Sequence, residues 1–449
     1  MSDQAHPDEL PPAYFLSLSL ENVRCFGSEQ TLDLTDEKGN PAQWTVLLGD
    51  NGTGKTTLLQ AIVGMEPRLG KSGANDSQSI LTRSFERGGL GKMFQIPREP
   101  KVSVSAELCF GDDIHEVNVD ERRNSFRLEA GYYNTAYYGP KKDFSGSDNF
   151  FCVGYGAGRE MATGAFEEKD KSGVESLFDE EMELPNAEEW LLQTDYAAKS
   201  GKEKAHRRLK QIKTVLSHPD SGILPDVDDL HFAEQDGETS PPRVEFHTPY
   251  GWVTIDQLSL GYRTMIAWVV DLARRLFKRY PDSENPLAEP AVCLVDEIDL
   301  HLHPKWQRKI IDFLSDRFPN TQFIVTAHSP LVVQAAHDAN IALLKRVEVD
   351  DGDDYVQIHN DMEPVGNLRV DQILTSDLYG LESARPPDLD ELLEERRDIL
   401  AKSELTDEDE ARLDEIEERV GDVPAGETKE QREAMAFIKD VADRLDEDE

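Results

Sequence analysis

Several short stretches of the chain are apolar with little interruption, and each stops abruptly at polar residues. Trp44–Leu48, Phe150–Val153, Ala291–Val295 and Phe323–Val325 are of this kind. Runs this short, bounded by turn residues and lacking alternation, predict strands buried on both faces. Elsewhere apolar and polar positions alternate, as on half-buried strands: Leu16 to Asn22, Val102 to Leu108, Val117 and Val119, Val244 to Phe246, and Trp252 to Ile255. The cluster of alternating runs within 101–139 predicts an antiparallel subdomain. A helical period appears over 186–216, with Trp190, Leu191, Leu209, Ile212 and Val215 inward, and again up to about Arg279 after Ser259. Residues 66–95, 160–183 and 218–240 are polar, glycine-containing or charged and read as excursions and connections.

The tail, 386–449, reads as three amphipathic helices. Leu389, Leu392, Leu393, Ile399 and Leu400 share one face of the first. Leu413, Ile416 and Val420 share a face of the second, which Gly421 closes. The third opens with a capping box, Thr428 and Gln431, and buries Ala434, Phe437, Ile438, Val441 and Leu445. Alternation of strands and helices before this tail predicts an α/β fold.

Composition narrows the picture. At 449 residues the chain exceeds what one compact core usually holds. Its net charge of −41 repels nucleic acid unless a local basic patch overrides the field. Because the acids are spread over loops and tail, general solvation accounts for most of that charge. The first twelve residues are polar and read as a disordered N-terminus rather than a signal peptide, and no apolar run approaches membrane length. A soluble, cytoplasmic protein with no membrane partner is expected. Cys25, Cys109, Cys152 and Cys293 lie in strand-like runs without a C-x-x-C pair, so reduced, buried thiols are expected.

Chemistry enters with Gly49-Asp-Asn-Gly-Thr-Gly-Lys-Thr56, a complete G-x-x-x-x-G-K-[ST] phosphate loop between a buried strand and a helix. Gly49, Gly52 and Gly54 let the backbone curl, so that amides of the loop, including Asn51 and Thr57, face a phosphate. Lys55 reaches the β/γ oxygens and Thr56 supplies a hydroxyl for Mg²⁺. Far downstream the strand Ala291–Val295 delivers Asp296 and Glu297 at its end. Asp296 would share the Mg²⁺ shell with Thr56, and Glu297 would orient or deprotonate the attacking water. Leu258-Ser-Leu-Gly-Tyr262 begins a helix, which alone is an N-cap. Gln322–Pro330 ends a strand at His328, which alone would be structural.

The order of these elements resembles an ABC-type ATPase head of the RecF/SMC/OLD branch. Asp296-Glu-Ile-Asp-Leu-His-Leu-His-Pro304 and Thr326-Ala-His-Ser-Pro330 resemble that branch's motifs, and the likeness runs over about residues 14–345. It implies an ABC-type P-loop head at 13–345, with an antiparallel β subdomain and a helical insertion (insertions at about 66–149 and 160–243), followed by a linker and small helical module at 346–449. It also implies that Lys55, Thr56, Asp296 and Glu297 act in cis, with His328 as a switch histidine. Ser259 and Gly261 would touch the γ-phosphate of ATP held by a second copy, giving a homodimer through an ATP sandwich, with higher oligomers open. Asp299 would cross the same interface, Arg24 would approach the nucleotide, and Tyr155–Arg159 take the place of the Q-loop. Leu260 and Tyr262 depart from the family's Leu-Ser-Gly-Gly-Gln, and no Q-loop glutamine follows Val153.

Three further segments, Gly251–Asp271, Pro304–Gln307 and Val370–Leu381, resemble the PtuA family, the ATPases of Septu-type anti-phage systems. That resemblance implies a partner HNH nuclease. The alternatives are a RecF/SMC-like repair ATPase that clamps DNA itself, and a nucleotide sensor with little turnover. A transporter subunit fits poorly with the long segment between phosphate loop and Ser259. Lys199, Lys202, Lys204, Arg207, Arg208, Lys210 and Lys213 form a basic cluster that either grips nucleic acid or an acidic partner, or is a solvated helical face. His301 and His303 lack further ligands at metal spacing. Asp350–Asp354 reads as a hairpin turn, and Glu167-Glu-Lys169 as solvated surface.

Overall fold

The structure, a computed structural model, describes residues 12–72, 77–83, 90–94, 101–111, 114, 125–131, 135–138, 150–164, 173–217, 222–233, 241–350, 352–362, 365–402 and 405–420. The chain divides into two compact units, Met1–Ile373 and Leu374–Glu449.

Three of the four apolar runs become the middle of a six-stranded sheet in the first unit, and the fourth, at Phe150–Val153, leads into its edge strand. Its order is β16 (Tyr355–His359), β15 (Asn340–Val347), β3 (Trp44–Gly49), β14 (Thr321–Thr326), β13 (Ala291–Val295) and β9 (Cys152–Tyr155). The five strands from β15 to β9 are mutually parallel, and β16 adds antiparallel at the edge. All residues of β13 and β14 are buried, as strands covered on both faces require. Trp44 and Phe323 face each other across β3 and β14 and stack at 4.3 Å between centroids. The 348–354 segment joins β15 to β16 as the expected hairpin, where Arg346 pairs with Asp354. Through this hairpin the first unit runs past residue 345.

The alternating runs form a second, antiparallel sheet: β2 (Gln30–Asp33), β1 (Ala13–Glu21), β6 (Ser103–Phe110), β7 (Ser125–Gly131) and β8 (Thr135–Tyr138). Val117 and Val119 lie outside the described residues. Helix α1 (Lys55–Gly64) joins the two sheets, because Leu58, Leu59, Ile62 and Val63 share one core with Leu18 and Leu108 of the antiparallel sheet and Ile324 of the parallel one. A polar clasp reinforces the joint. β1 bulges between Phe15 and Ser17, and Gln322 of β14 donates to the Phe15 carbonyl at 2.8 Å while accepting from its amide at 2.9 Å. A buried amide in a central strand is tolerated because the bulge presents backbone groups for it.

The excursion at 66–95 carries more order than its composition suggests: β4 (Pro67–Ser72) and β5 (Ser77–Thr82) pair as a hairpin, and the buried Glu66 and Arg83 form an ion pair at its base. The 186–216 region is two helices, α2 (Ala187–Lys199) and α3 (Glu203–Leu216), broken where Gly201 takes φ +82°. The 218–240 connection contains a strand, β10 (Asp229–Ala233), which pairs with β11 (Arg243–Thr248) and β12 (Gly251–Thr254). β12 leads into α4 (Leu260–Arg279).

Within the second unit, α5 (Pro387–Leu400) and α6 (Asp407–Val420) pack through Leu392, Ile399 and Ile416, with Leu413 and Val420 alongside. The third tail helix, the first eleven residues and Glu167–Lys169 lie outside the described residues. All four cysteines are free thiols, three buried and Cys25 partly so. Among the described residues no helix is long and apolar enough to cross a membrane.

Candidate nucleotide site

Strand order brings the separate motifs together. The phosphate loop leaves β3 and Asp296-Glu297 leave β13, with the end of β14 between them. Thr326 and His328 therefore lie between the two sets of reacting groups.

The loop has the backbone that its glycines permit. Gly49, Gly52 and Gly54 take φ of +142°, +82° and +89°. A Cβ on Gly54 would also strike Cys25 and Phe26, so glycine is required there for space and for conformation. Helix α1 starts at Lys55 with no side chain capping its first amides, an arrangement open to an anion. Lys55 Nζ donates to the carbonyls of Gly49 (2.7 Å) and Asp50 (2.9 Å). Burial pulls its pKa down, opposed by Asp296, Glu297, Asp50 and Asp299. Asn51 and Gly52 are exposed at the loop tip. Arg24, at φ +50°, reaches α1, where its Nη1 donates to Thr57 Oγ1 (3.1 Å) and Gln60 Oε1 (3.2 Å).

Thr56 Oγ1 donates to Asp296 Oδ2 at 2.7 Å, closing a gap of 240 residues in sequence. Thr326 Oγ1 donates to the other oxygen of Asp296 at 2.6 Å and accepts the Glu297 amide at 2.6 Å. One hydroxyl thus orients both acids. A hydroxyl beside a carboxylate is a hard-oxygen donor set that suits Mg²⁺, which takes one or two protein ligands plus phosphate and water. Among the described residues no cluster of three or more His, Cys, Asp or Glu could hold a metal ion. His303 has a structural task instead: its Nδ1 accepts the Lys305 amide at 3.2 Å and caps the turn at Pro304.

Glu297 sits at φ +50°, a left-handed conformation uncommon for a non-glycine residue. Arg159 supports it. This guanidinium, 1% exposed, donates to the carbonyls of Asp296 (2.5 Å), Glu297 (2.7 Å) and Gly156 (2.9 Å). Burial draws its pKa down to about 10, against the pull of Asp296, Glu297 and Asp299, so it stays charged near neutrality. The sequence resemblance puts Arg159 at the end of the Q-loop segment and assigns no separate task to it or to Thr326. The apolar-strand-then-Thr pattern was the available signal for Thr326, whereas nothing local announced a buried arginine. Asp299 Oδ2 accepts the His328 amide at 3.0 Å, and His328 itself is exposed.

The Ser259 element lies at the start of α4. Ser259 Oγ accepts the Tyr262 amide at 3.4 Å, and Ser259 and Leu260 are exposed. Gly261 is buried because a Cβ there would collide with the His301 carbonyl oxygen. Tyr262, where the family pattern has glutamine, donates its hydroxyl to the Pro225 carbonyl at 2.7 Å. Tyr155 OH donates to Asp271 of α4 at 3.1 Å, and Arg274 and Arg275 pair with the same carboxylate. Of the basic cluster, Lys199 pairs with Asp195 and Lys204 with Asp282, Arg208 bonds the Phe277 carbonyl, and Lys213 bonds the Leu230 carbonyl. Four of its seven cations are thereby held by contacts within the fold.

The chain is similar to several known proteins. A family described as "AAA domain, putative AbiEii toxin, Type IV TA system" matches residues 196–334, and one described as "AAA domain" matches 17–218. The Septu protein PtuA of Bacillus mycoides (strain KBAB4) is 26% identical over 374 residues, 81% of this chain and 44% of that protein. The Retron Vc95 probable ATPase of Vibrio cholerae serotype O1 biovar El Tor is 47% identical over 96 residues, 21% of this chain and 19% of that protein. The chain thus spans less than half the length of these relatives. A crystal structure of the SmcHead bound to the C-winged helix domain of ScpA aligns with 78% of this chain and 98% of its own, at 18% identity and a TM-score of 0.43. The chain is similar to AAA-domain P-loop ATPases in two overlapping segments and, over most of its length, to Septu PtuA.

Proposed function

We propose that this chain binds and hydrolyses ATP as the ATPase subunit of an anti-phage defence system, working as a homodimer that sandwiches ATP and controls a partner nuclease of HNH type. The observation that carries the ATPase reading is the Thr56–Asp296 hydrogen bond, which pairs a phosphate-loop hydroxyl with the strand-end acid. Similarity to Septu PtuA and a retron ATPase supports the defence setting.

On this reading Lys55 exchanges its two loop carbonyls for phosphate oxygens, and the amides at the start of α1 bind the same group. Thr56 and Asp296 would hold Mg²⁺, which supplies charge neutralisation on the phosphates when bound. Glu297 positions water in line with the γ-phosphorus and takes its proton as the new P–O bond forms and the bond to ADP breaks. Arg159 and Thr326 keep the Glu297 backbone where that geometry holds, because phosphoryl transfer depends mainly on positioning. Ser259, exposed at its helix tip, meets the γ-phosphate of ATP bound to the other copy, with Gly261 seating that tip. Asp299 and His328 complete the γ-phosphate side.

The test is steady-state phosphate release together with size-exclusion chromatography. Glu297→Gln should abolish most turnover and accumulate ATP-bound dimers. A Lys55→Ala protein with unchanged turnover would overturn the proposal.

A further inference from the structure

Away from the phosphate loop, helices α2, α3 and α4 surround a cavity of about 500 Å³, within the range of small-ligand pockets. Its lining carries five cations, Lys202, Lys204, Arg208, Arg274 and Lys278, and no carboxylate. In a chain of net charge −41, such a concentration of one sign runs against the general field. Arg274 pairs with Asp271 and Lys204 with the exposed Asp282; the remaining positive charge around the concave surface favours an anion.

Two aromatic residues share the rest of the lining with small and polar side chains. Trp190 and Phe277 lie nearly parallel, 14° apart with centroids at 6.2 Å, and both line the cavity. Two of the cations are structural: Arg208 lies over the Phe277 ring and bonds its carbonyl, and Arg274 is tied to Asp271. Lys202 and Lys204 differ. Both are exposed at the opening of α3, whose first amides have no side-chain cap, and Lys204 meets only the highly exposed Asp282. Flexible ammonium groups at a rim, fixed guanidinium groups within and an aromatic ring suit a phosphate with an attached flat ring.

We infer that this cavity binds a nucleotide unit, phosphate toward Lys202 and Lys204 and base against the partly exposed Trp190, which the buried Phe277 backs, separately from the phosphate loop. The unit comes from a free nucleotide or from a single strand of nucleic acid, which share this chemistry. The site uses only three residues of the 199–213 basic cluster and adds two from α4, so it is not the extended basic face that the sequence suggests.

The experiment measures binding of ADP, pyrophosphate and an oligo-dT strand to the full chain carrying Lys55→Ala, which disables the first site and keeps the result independent of the ATPase proposal. Adding Lys202→Glu and Lys204→Glu, both on the exposed rim, should weaken binding by about tenfold or more, the loss of charge-assisted phosphate contacts. Trp190→Ala should weaken ADP or oligo-dT by about fivefold or more through lost stacking, while leaving pyrophosphate unchanged. Tight ADP binding identifies a free nucleotide as the source, and binding of oligo-dT alone identifies a strand. Affinities untouched by the charge reversals, no binding of either nucleotide probe, or pyrophosphate binding as tightly as ADP would each overturn the assignment.

Discussion

Two helices of the first unit begin beside residues that the sequence marks for phosphate, and they begin differently. At α1 the turn is a left-handed glycine, no side chain caps the first amides, and Lys55, Thr56 and Thr57 are each bonded by the same chain. At α4 the tip caps itself through Ser259, and Ser259 and Leu260 face outward. The first start is enclosed by its own fold. The second is firmly mounted, with its capping serine exposed at the surface. If the two starts form one shared site, as proposed above, the effects of substitution sort into two classes.

The largest effect should come from the enclosed side. Glu297→Gln keeps shape and backbone contacts while removing the base, so kcat should fall by about 10²–10⁴ with ATP binding retained. Phosphate release and equilibrium dialysis check this, and equal losses in both would mean that Glu297 serves binding instead. Next comes the outward side. Ser259→Ala should lower turnover about 10- to 100-fold, the worth of one hydrogen bond to a charged group, without altering nucleotide affinity of the isolated chain. If affinity falls instead, Ser259 acts in cis and the contrast between the two starts disappears.

Smaller effects probe the mounting. Gly261→Ala should cost about 1–3 kcal/mol of stability, because its Cβ meets the backbone carbonyl of His301, which cannot rotate away. Denaturant unfolding measures it; an unchanged midpoint would show that the tip shifts freely. The mildest change is Thr326→Ser. It retains the hydroxyl that bonds Asp296 and Glu297 and loses one methyl, so stability should drop by about 0.8 kcal/mol or less and turnover should hold. A large loss of turnover would mean that the methyl group, and not the hydroxyl, sets the acids.

Much of the enclosed side was legible because its information is local. The phosphate loop, the apolar strand ending at Asp296 and the strand ending before His328 each declare themselves within about ten residues. What stayed hidden depends on distant pairings. β1 pairs with β6 across more than eighty residues, and Gln322 looks misplaced in a central strand until the β1 bulge is seen. The Arg159 contacts reach 137 and 138 residues along the chain to carbonyls, which leave no trace in side-chain pattern. Gly261 read as part of a signature, yet its steric need arises from His301 of another segment. The β4–β5 hairpin was obscured because its polar sequence matches strands as well as loops, whereas the alternation of Leu230 and Phe232 in β10 is short and set among Pro, Asp and Gly residues.

The Glu297 amide is held by a threonine hydroxyl, not by a strand partner or a helical carbonyl. Its proton therefore reports on a single side chain that touches both acids. In a spectrum of the nitrogen-15-enriched protein that resonance would serve as a native gauge, shifting when charge at Asp296 changes and needing no attached dye.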